Sequence, residues 1–314
     1  MSLGEPGLKA LDLVAAGVAG GDALPEGGEG YKSGSVYRMI LAVFLENRMA
    51  IVGVGVVVFM ILFSFLGPVI YHTQQVFANP NISLDAPSLA HPLGTDGLGY
   101  DNLGRLMLGG QTSLEVGLAA AVIAVTVGAV WGAIAGLVGG FVDAVMMRIV
   151  DALLAIPFLF LLILLGTIFG TSILELIIVI GLVSWLVPAR LVRGETLSLR
   201  VRDYVQAVKV MGGGSRRILF RHLIPNTMGT IVVNATFQVA DAITFVAALS
   251  YLGLGIPPPA TNWGGQLSDG VTYIFDGYWW LIYPAGIAIV LVVVAFNFIG
   301  DSLRDALEVR LQQR

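Results

Sequence analysis

Leu114–Val138 reads LEVGLAAAVIAVTVGAVWGAIAGLV, and beyond Glu115 it carries no charged residue. About 20 apolar residues in a helix cross the ~30 Å hydrocarbon core of a bilayer. A helix on the surface of a soluble protein would show a polar face recurring with the 3.6-residue period, and this stretch has none. Gly128, Gly132 and Gly136 fall on one face at four-residue spacing, which lets another helix approach closely. The spacing leaves open whether that helix belongs to this chain or to a partner subunit.

Five further windows have the same character: Met49–Tyr71, Ile149–Phe169, Ile173–Leu191, Gly229–Leu252 and Leu281–Gly300. The one from Ile173 carries Glu175 near one end and Pro188 near the other, where neighbouring helices can satisfy freed backbone groups. Over the whole chain 56% of residues are hydrophobic and 12% charged, against about 25% charged in soluble domains. The expectation is an all-α membrane protein with six transmembrane helices, the permease domain occupying 49–302.

Basic residues orient the spans. Lys32, Arg38 and Arg48 precede the first; Arg148 sits between the second and third. Eight more, from Arg190 to Arg221, fill the fourth-to-fifth connection, and Arg304, Arg310 and Arg314 follow the sixth. The opposite loops carry only Arg105. Both termini and the loop over 192–228 are therefore expected in the cytoplasm, and six spans satisfy this where an odd number would not. Residues 1–30, Gly- and Ala-rich with scattered acids, read as a disordered tail without the pattern of a cleavable leader. An amphipathic lead-in follows over 31–48, and a cytoplasmic tail closes the chain over 303–314.

The absence of cysteine excludes disulfides and thiolate chemistry. His72, His91 and His222 are too scattered for a metal-ligand pattern. Within the fifth span, Thr230, Asn234, Gln238 and Asp241 share one helical face. Charge at bilayer depth is costly and usually meets a cavity or a polar partner. This face is a candidate pathway lining, with interhelical hydrogen bonding as the alternative. Arg148 and Asp151 have the spacing of a local ion pair. Asn297, Asp301 and Arg304 could form a polar inner mouth or a solvated helix end.

The 192–228 connection is too long for a turn. Asp203–Val210 has helical character, with Tyr204, Val205, Val208 and Met211 as an apolar stripe. Gly212, Gly213 and Gly214 break it. Ser215 can cap a second short helix carrying Arg216, Arg217, Ile218, Leu219, Phe220 and Arg221, and Pro225 marks its end. Such a protrusion requires a partner protein or anionic headgroups. It is not a phosphate loop, because G-x-x-x-x-G-K-[ST] occurs nowhere in the chain.

This connection resembles the coupling segment of ABC importer permeases, Glu-Ala-Ala, three residues, Gly, and a Pro thirteen further on. Here it stands as Gln206-Ala207-Val208, Gly212 and Pro225. His91-Pro92-Leu93-Gly94-Thr95-Asp96, with Gly99, Asp101 and Arg105, is similar to the outer segment of the dipeptide/oligopeptide permease group. So are Arg221-His222-Leu223-Ile224-Pro225-Asn226, Leu249–Gly255 and Gly300–Leu307 in their own places. The likeness covers about residues 35–310 and points to the C-type member of the permease pair. The group often has Glu where this chain has Val246.

The resemblance implies a type I importer permease fold, paired with a second, B-type permease, one or two ABC ATPase subunits and an extracytoplasmic solute-binding protein, in a bacterial or archaeal plasma membrane, with no nucleic-acid partner. ATP and magnesium would be held by the ATPases, and the chain itself would have no catalytic site or cofactor. It implies ATPase coupling through Tyr204, Val205, Gln206, Ala207, Val208, Gly212, Arg216, Arg221, His222 and Pro225. Asp96, Asp101, Arg105 and Trp263 become candidates for facing the binding protein. The substrates implied are di- or oligopeptides, with nickel chelates or another small solute as alternatives. From other classes, an ion-coupled secondary transporter would use Asp241 as its acid but has no need of a docking loop. An intramembrane enzyme lacks a nucleophile–base pair, and a membrane scaffold leaves the loop unexplained.

Overall fold

Polar side chains set where the helices begin. Asn47 accepts from the Met49 amide at 2.9 Å, Asp101 from Gly104 at 2.7 Å, and Asn262 from Gly265 at 2.7 Å, each satisfying an amide that has no partner in a helix's first turn. Ser172 and Glu175 cap each other reciprocally. Glu175, conspicuous as an acid in an apolar window, therefore serves as a helix start.

The computed structural model describes residue 41 and residues 43–312, the side chains of 308–312 excepted. The 1–30 tail, most of the 31–48 lead-in, residues 313–314 and the side chains of Lys32, Arg38, Arg310 and Arg314 lie outside the described residues. The helices are α1 (Arg48–Ile70), α2 (Asn102–Val138), α3 (Gly140–Leu154), α4 (Phe158–Phe169), α5 (Ile173–Ser184), α6 (Leu186–Leu199), α7 (Asp203–Val210), α8 (Ser215–Ile218), α9 (Ile224–Leu249), α10 (Trp263–Val271) and α11 (Tyr283–Gln312). Among the described residues there is no strand, only an isolated bridge between Thr95 and Asp101.

Five helical runs are long and apolar enough to cross a membrane, and six if α3 and α4 form one broken span. That pair corresponds to the window Ile149–Phe169 and is bent by 87°. Pro157 stands at the break and cannot donate to the preceding turn. The window Met49–Tyr71 coincides with α1 to within a residue, and the other four fall inside longer helical runs. The second helix starts at Asn102, twelve residues before Leu114, and the fourth run continues to Leu199. The fifth starts at Ser215. Hydropathy detects the lipid-embedded part of a helix and misses its polar extension.

The α2 helix is central, packed on α1, α5, α6 and α9, while α11 packs on α1 and α9. The glycine stripe proves internal. A Cβ at Gly128 would stand 2.5 Å from Pro188 Cβ, at Gly132 2.2 Å from the Ala189 carbonyl oxygen, and at Gly136 2.8 Å from Thr196 Cβ. The bare backbone of α2 is what lets α6 lie against it. The α1 helix shows the converse. Its most apolar window has mean hydropathy 2.8, yet only 22% of it is buried within the chain. An apolar exterior of this kind suits lipid or another membrane subunit.

Candidate functional site

At the basic end of the bundle, Arg193 donates from Nε and Nη2 to both oxygens of Asp143, at 2.5 and 2.7 Å. Asp151 pairs with Arg190 of α6, so the local Arg148–Asp151 pair suggested by spacing is replaced by a tertiary one. The two bridges clamp α3 to α6. Arg200 Nη1 donates to the Gly136 carbonyl at 2.9 Å, fastening the start of the protrusion to the last turn of α2.

The protrusion is α7, the glycine break and α8. Val205 is 2% exposed and packs with Val192, Ile218, Leu219, Leu223 and Ile231. It anchors α7 to the bundle, so its expected place on a contact surface is corrected: half of the apolar stripe is consumed internally, as it must be for so short a helix to hold. Tyr204, Gln206, Ala207, Met211, Arg216, Arg221 and Pro225 are exposed, whereas Val208 and His222 are intermediate. The Tyr204 and His222 rings lie 6.4 Å apart. Gln206 Nε2 donates to the Arg200 carbonyl at 2.8 Å, a bond an ionised glutamate could not make. Gly212 has φ +81° with open space around it, the left-handed conformation that a side chain disfavours.

Two local expectations fail here. Ser215 is the first residue of α8 and Gly214 takes the cap position without a side chain. Pro225 begins α9 rather than ending α8, because a π-turn over Leu219–Leu223 carries the helix through from Ser215 into the span. Inside this continuous helix Pro225 has no amide to donate to the turn before it, and the π-turn stands at that gap in the ladder.

The face of α9 divides. Gln238 is buried and donates to the Ser184 carbonyl at 3.3 Å, so it serves interhelical bonding and not a pathway. Thr230 lies close to Glu195 of α6. Asn234 Oδ1 and Glu195 Oε2 are buried and reach no partner. Asp241 is exposed, and its carboxylate pairs with no described residue. Glu195 escaped sequence reasoning because its helix was expected to end at Leu191. At the foot of α11, Asn297 is intermediate while Asp301 and Arg304 are exposed.

At the opposite, aromatic end, three of the four residues expected to face a partner are interior. Trp263 is fully buried and donates from Nε1 to the Leu106 carbonyl at 3.0 Å. Asp101 is 4% exposed; besides capping α2 it accepts from the Tyr71 hydroxyl and stands against His91 Nδ1, each at 2.9 Å. Arg105, 3% exposed, donates to the Pro259 carbonyl at 3.2 Å, sits 3.5 Å from Asp96 and lies over the Tyr100 ring. These side chains build the end of the bundle. Asp96 alone of the four is only partly covered. Among the described residues no three His, Asp or Glu side chains gather as metal ligands.

Residues 128–313 match the family described as "Binding-protein-dependent transport system inner membrane component". The chain belongs to this family. The match runs from the glycine stripe of α2 through α11 and takes in the whole protrusion. Residues 35–90, which include α1, match the N-terminal TM domain of oligopeptide transport permease C. The oligopeptide transport system permease protein OppC of Escherichia coli K12 is 45% identical over 267 residues, covering 84% of this chain and 88% of that protein. The same-named protein of Bacillus subtilis is 39% identical over 282 residues, covering 90% and 92%. A putative peptide permease protein of Brucella suis is 42% identical over 276 residues, covering 86% and 89%. The family is one of inner-membrane components, and the five to six apolar runs make this member a multi-pass membrane protein.

Proposed function

We propose that this chain is the permease subunit of an ATP-driven importer of di- or oligopeptides. It would pair with a second permease, with separate ATPase subunits that hold ATP and magnesium, and with an extracytoplasmic binding protein that delivers the peptide. The observation that carries this reading is the protrusion over 203–225. Val205 anchors it, Arg200 ties it to α2, and it presents Tyr204, Ala207, Met211 and Arg216 to a partner while lying inside the family match. The peptide substrate is supported by the names of the relatives. The arginines at the same end support a cytoplasmic position for it, with the chain in a bacterial or archaeal plasma membrane. The exposed Asp241 of α9 then faces the pathway or the second permease.

Purification of the tagged chain from its own membranes is expected to bring down an ATPase and a second permease. Reconstituted with the binding protein, the complex should take up peptides only with ATP. Uptake driven by an ion gradient without ATP would overturn the reading in favour of a secondary carrier. Because the chain lacks cysteine, single cysteines at Gly213 and Ser88 report orientation, with labelling from the cytoplasm expected only at Gly213.

A further inference from the structure

The acid that sequence spacing offers to Arg148 is taken by another helix. Asp151 pairs with Arg190, and Asp143 is held by both Nε and Nη2 of Arg193. Arg148 stands between these two acids along α3, is exposed, and pairs with no described residue. A guanidinium keeps its charge. The clamp between α3 and α6 matches two acids with two arginines, so the charge on Arg148 is left over.

The surroundings of that charge are apolar. Phe141, Val145, Arg148, Ile149 and Ala152 fall at i, i+4, i+7, i+8 and i+11, which is one face of α3, and all five are exposed. Phe141 is 83% exposed, Val145 42% and Ile149 44%. The other side of α3 is committed to the bundle, where Met147 and Val150 are buried with Leu186 and Ala189 of α6. The face that carries Arg148 therefore points outward.

Its level in the membrane is set by its neighbours. The apolar window of α2 ends at Val138, and α3 turns back from Gly140, rising about 12 Å to Arg148. Ion pairs on either side along α3 show that charge is accommodated at this level. An arginine here can lay its stem along apolar surface and turn its head to the headgroup layer.

The residue types select the occupant. Seams between membrane helices are built on small residues that let backbones approach, as α2 does for α6 through Gly128, Gly132 and Gly136. The outward face of α3 presents Phe, Val and Ile around a charge instead. Acyl chains suit those flanks, and a phosphate suits the planar fork of the guanidinium.

We propose that Arg148 binds the phosphate of an anionic phospholipid in the leaflet at the basic end of the bundle, with the acyl chains over Val145 and Ile149. An anionic headgroup is preferred to a zwitterionic one because its phosphate has no cation of its own to answer it.

The lack of cysteine allows a single label in this chain. Ala152→Cys, on the same face, is labelled with bimane, and the full chain is then assembled in vesicles with the subunits that copurify with it. Quenching is measured with dibrominated phosphatidylglycerol and, separately, with dibrominated phosphatidylcholine. Phosphatidylglycerol is expected to bind at this position about fivefold more tightly, the factor that one arginine supplies near an anionic surface. In the same background Arg148→Gln should bring the ratio close to unity at an unchanged melting midpoint in detergent, because Arg148 has no partner in the chain to lose. Arg148→Lys, which keeps the charge, should retain most of the preference. Equal binding of the two lipids by the wild type would overturn the site, and so would an Arg148→Gln variant that keeps the preference. Absence of quenching by either lipid would also overturn it, since the face would then be a seam with another protein.

Discussion

The two ends of the bundle use polar residues in opposite ways. At the aromatic end Asp101, Arg105 and Trp263 are buried and hold helices together. At the basic end Arg216, Arg221 and Gln206 stand exposed on a small protrusion, anchored by Val205 with its apolar neighbours and by the Arg200 hydrogen bond to Gly136. Similar residue types do structural work at one end and are available to a partner at the other. Burial decides which, since a buried charge must be paired where it sits.

The contrast can be broken most directly at Asp101. Asp101→Ala removes a helix cap and two hydrogen bonds to a carboxylate, together worth about 2–4 kcal/mol. A clear drop in melting midpoint of the purified complex is expected, and an unchanged midpoint would refute the structural role. Arg193→Ala tests whether the basic end also has a structural part. Both partners are partly covered, so a loss of about 1–3 kcal/mol is expected, between the exposed and buried limits. In the double variant with Asp143→Ala the losses should be clearly less than additive.

Gly212→Val should do the reverse of Asp101→Ala. Forcing a side chain into the left-handed region costs about 1–2 kcal/mol, confined to a protrusion whose neighbourhood is open. Stability should hold while ATP hydrolysis uncouples from uptake, read as substrate imported per ATP. Normal coupling in this variant would sink the docking role. Gln206→Glu loses the bond to the Arg200 carbonyl, worth about 0.5–1.5 kcal/mol, and should lower coupling mildly, with recovery in Gln206→Asn absent because the shorter amide falls short.

The smallest effect concerns pH. Burial first, then the hydrogen bond to Asp101 and its charge, push the Tyr71 hydroxyl to about 12 from 10.0. The unfolded chain loses this proton near 10 and the folded chain holds it until about 12, so stability falls as pH rises through that window. Tyr71→Phe removes the hydrogen bond to Asp101, so it should lower the melting midpoint at neutral pH by part of the Asp101→Ala loss and flatten the further decline between pH 10 and 11.

Composition and periodicity along the chain already show a membrane protein, the apolar core of each long helix and the segment that protrudes. Those properties depend on local composition and on periodicity along one chain, which the bilayer reads directly. Tertiary structure decided the rest. It assigned the α2 glycine stripe to α6 within the chain, gave Asp151 to Arg190 in place of Arg148, and turned Gln238 toward Ser184. It took Asp101, Arg105 and Trp263 out of reach of any partner. Each outcome depends on which helix lies alongside which, and a pattern read along one helix gives the direction a side chain points but not what stands there to meet it.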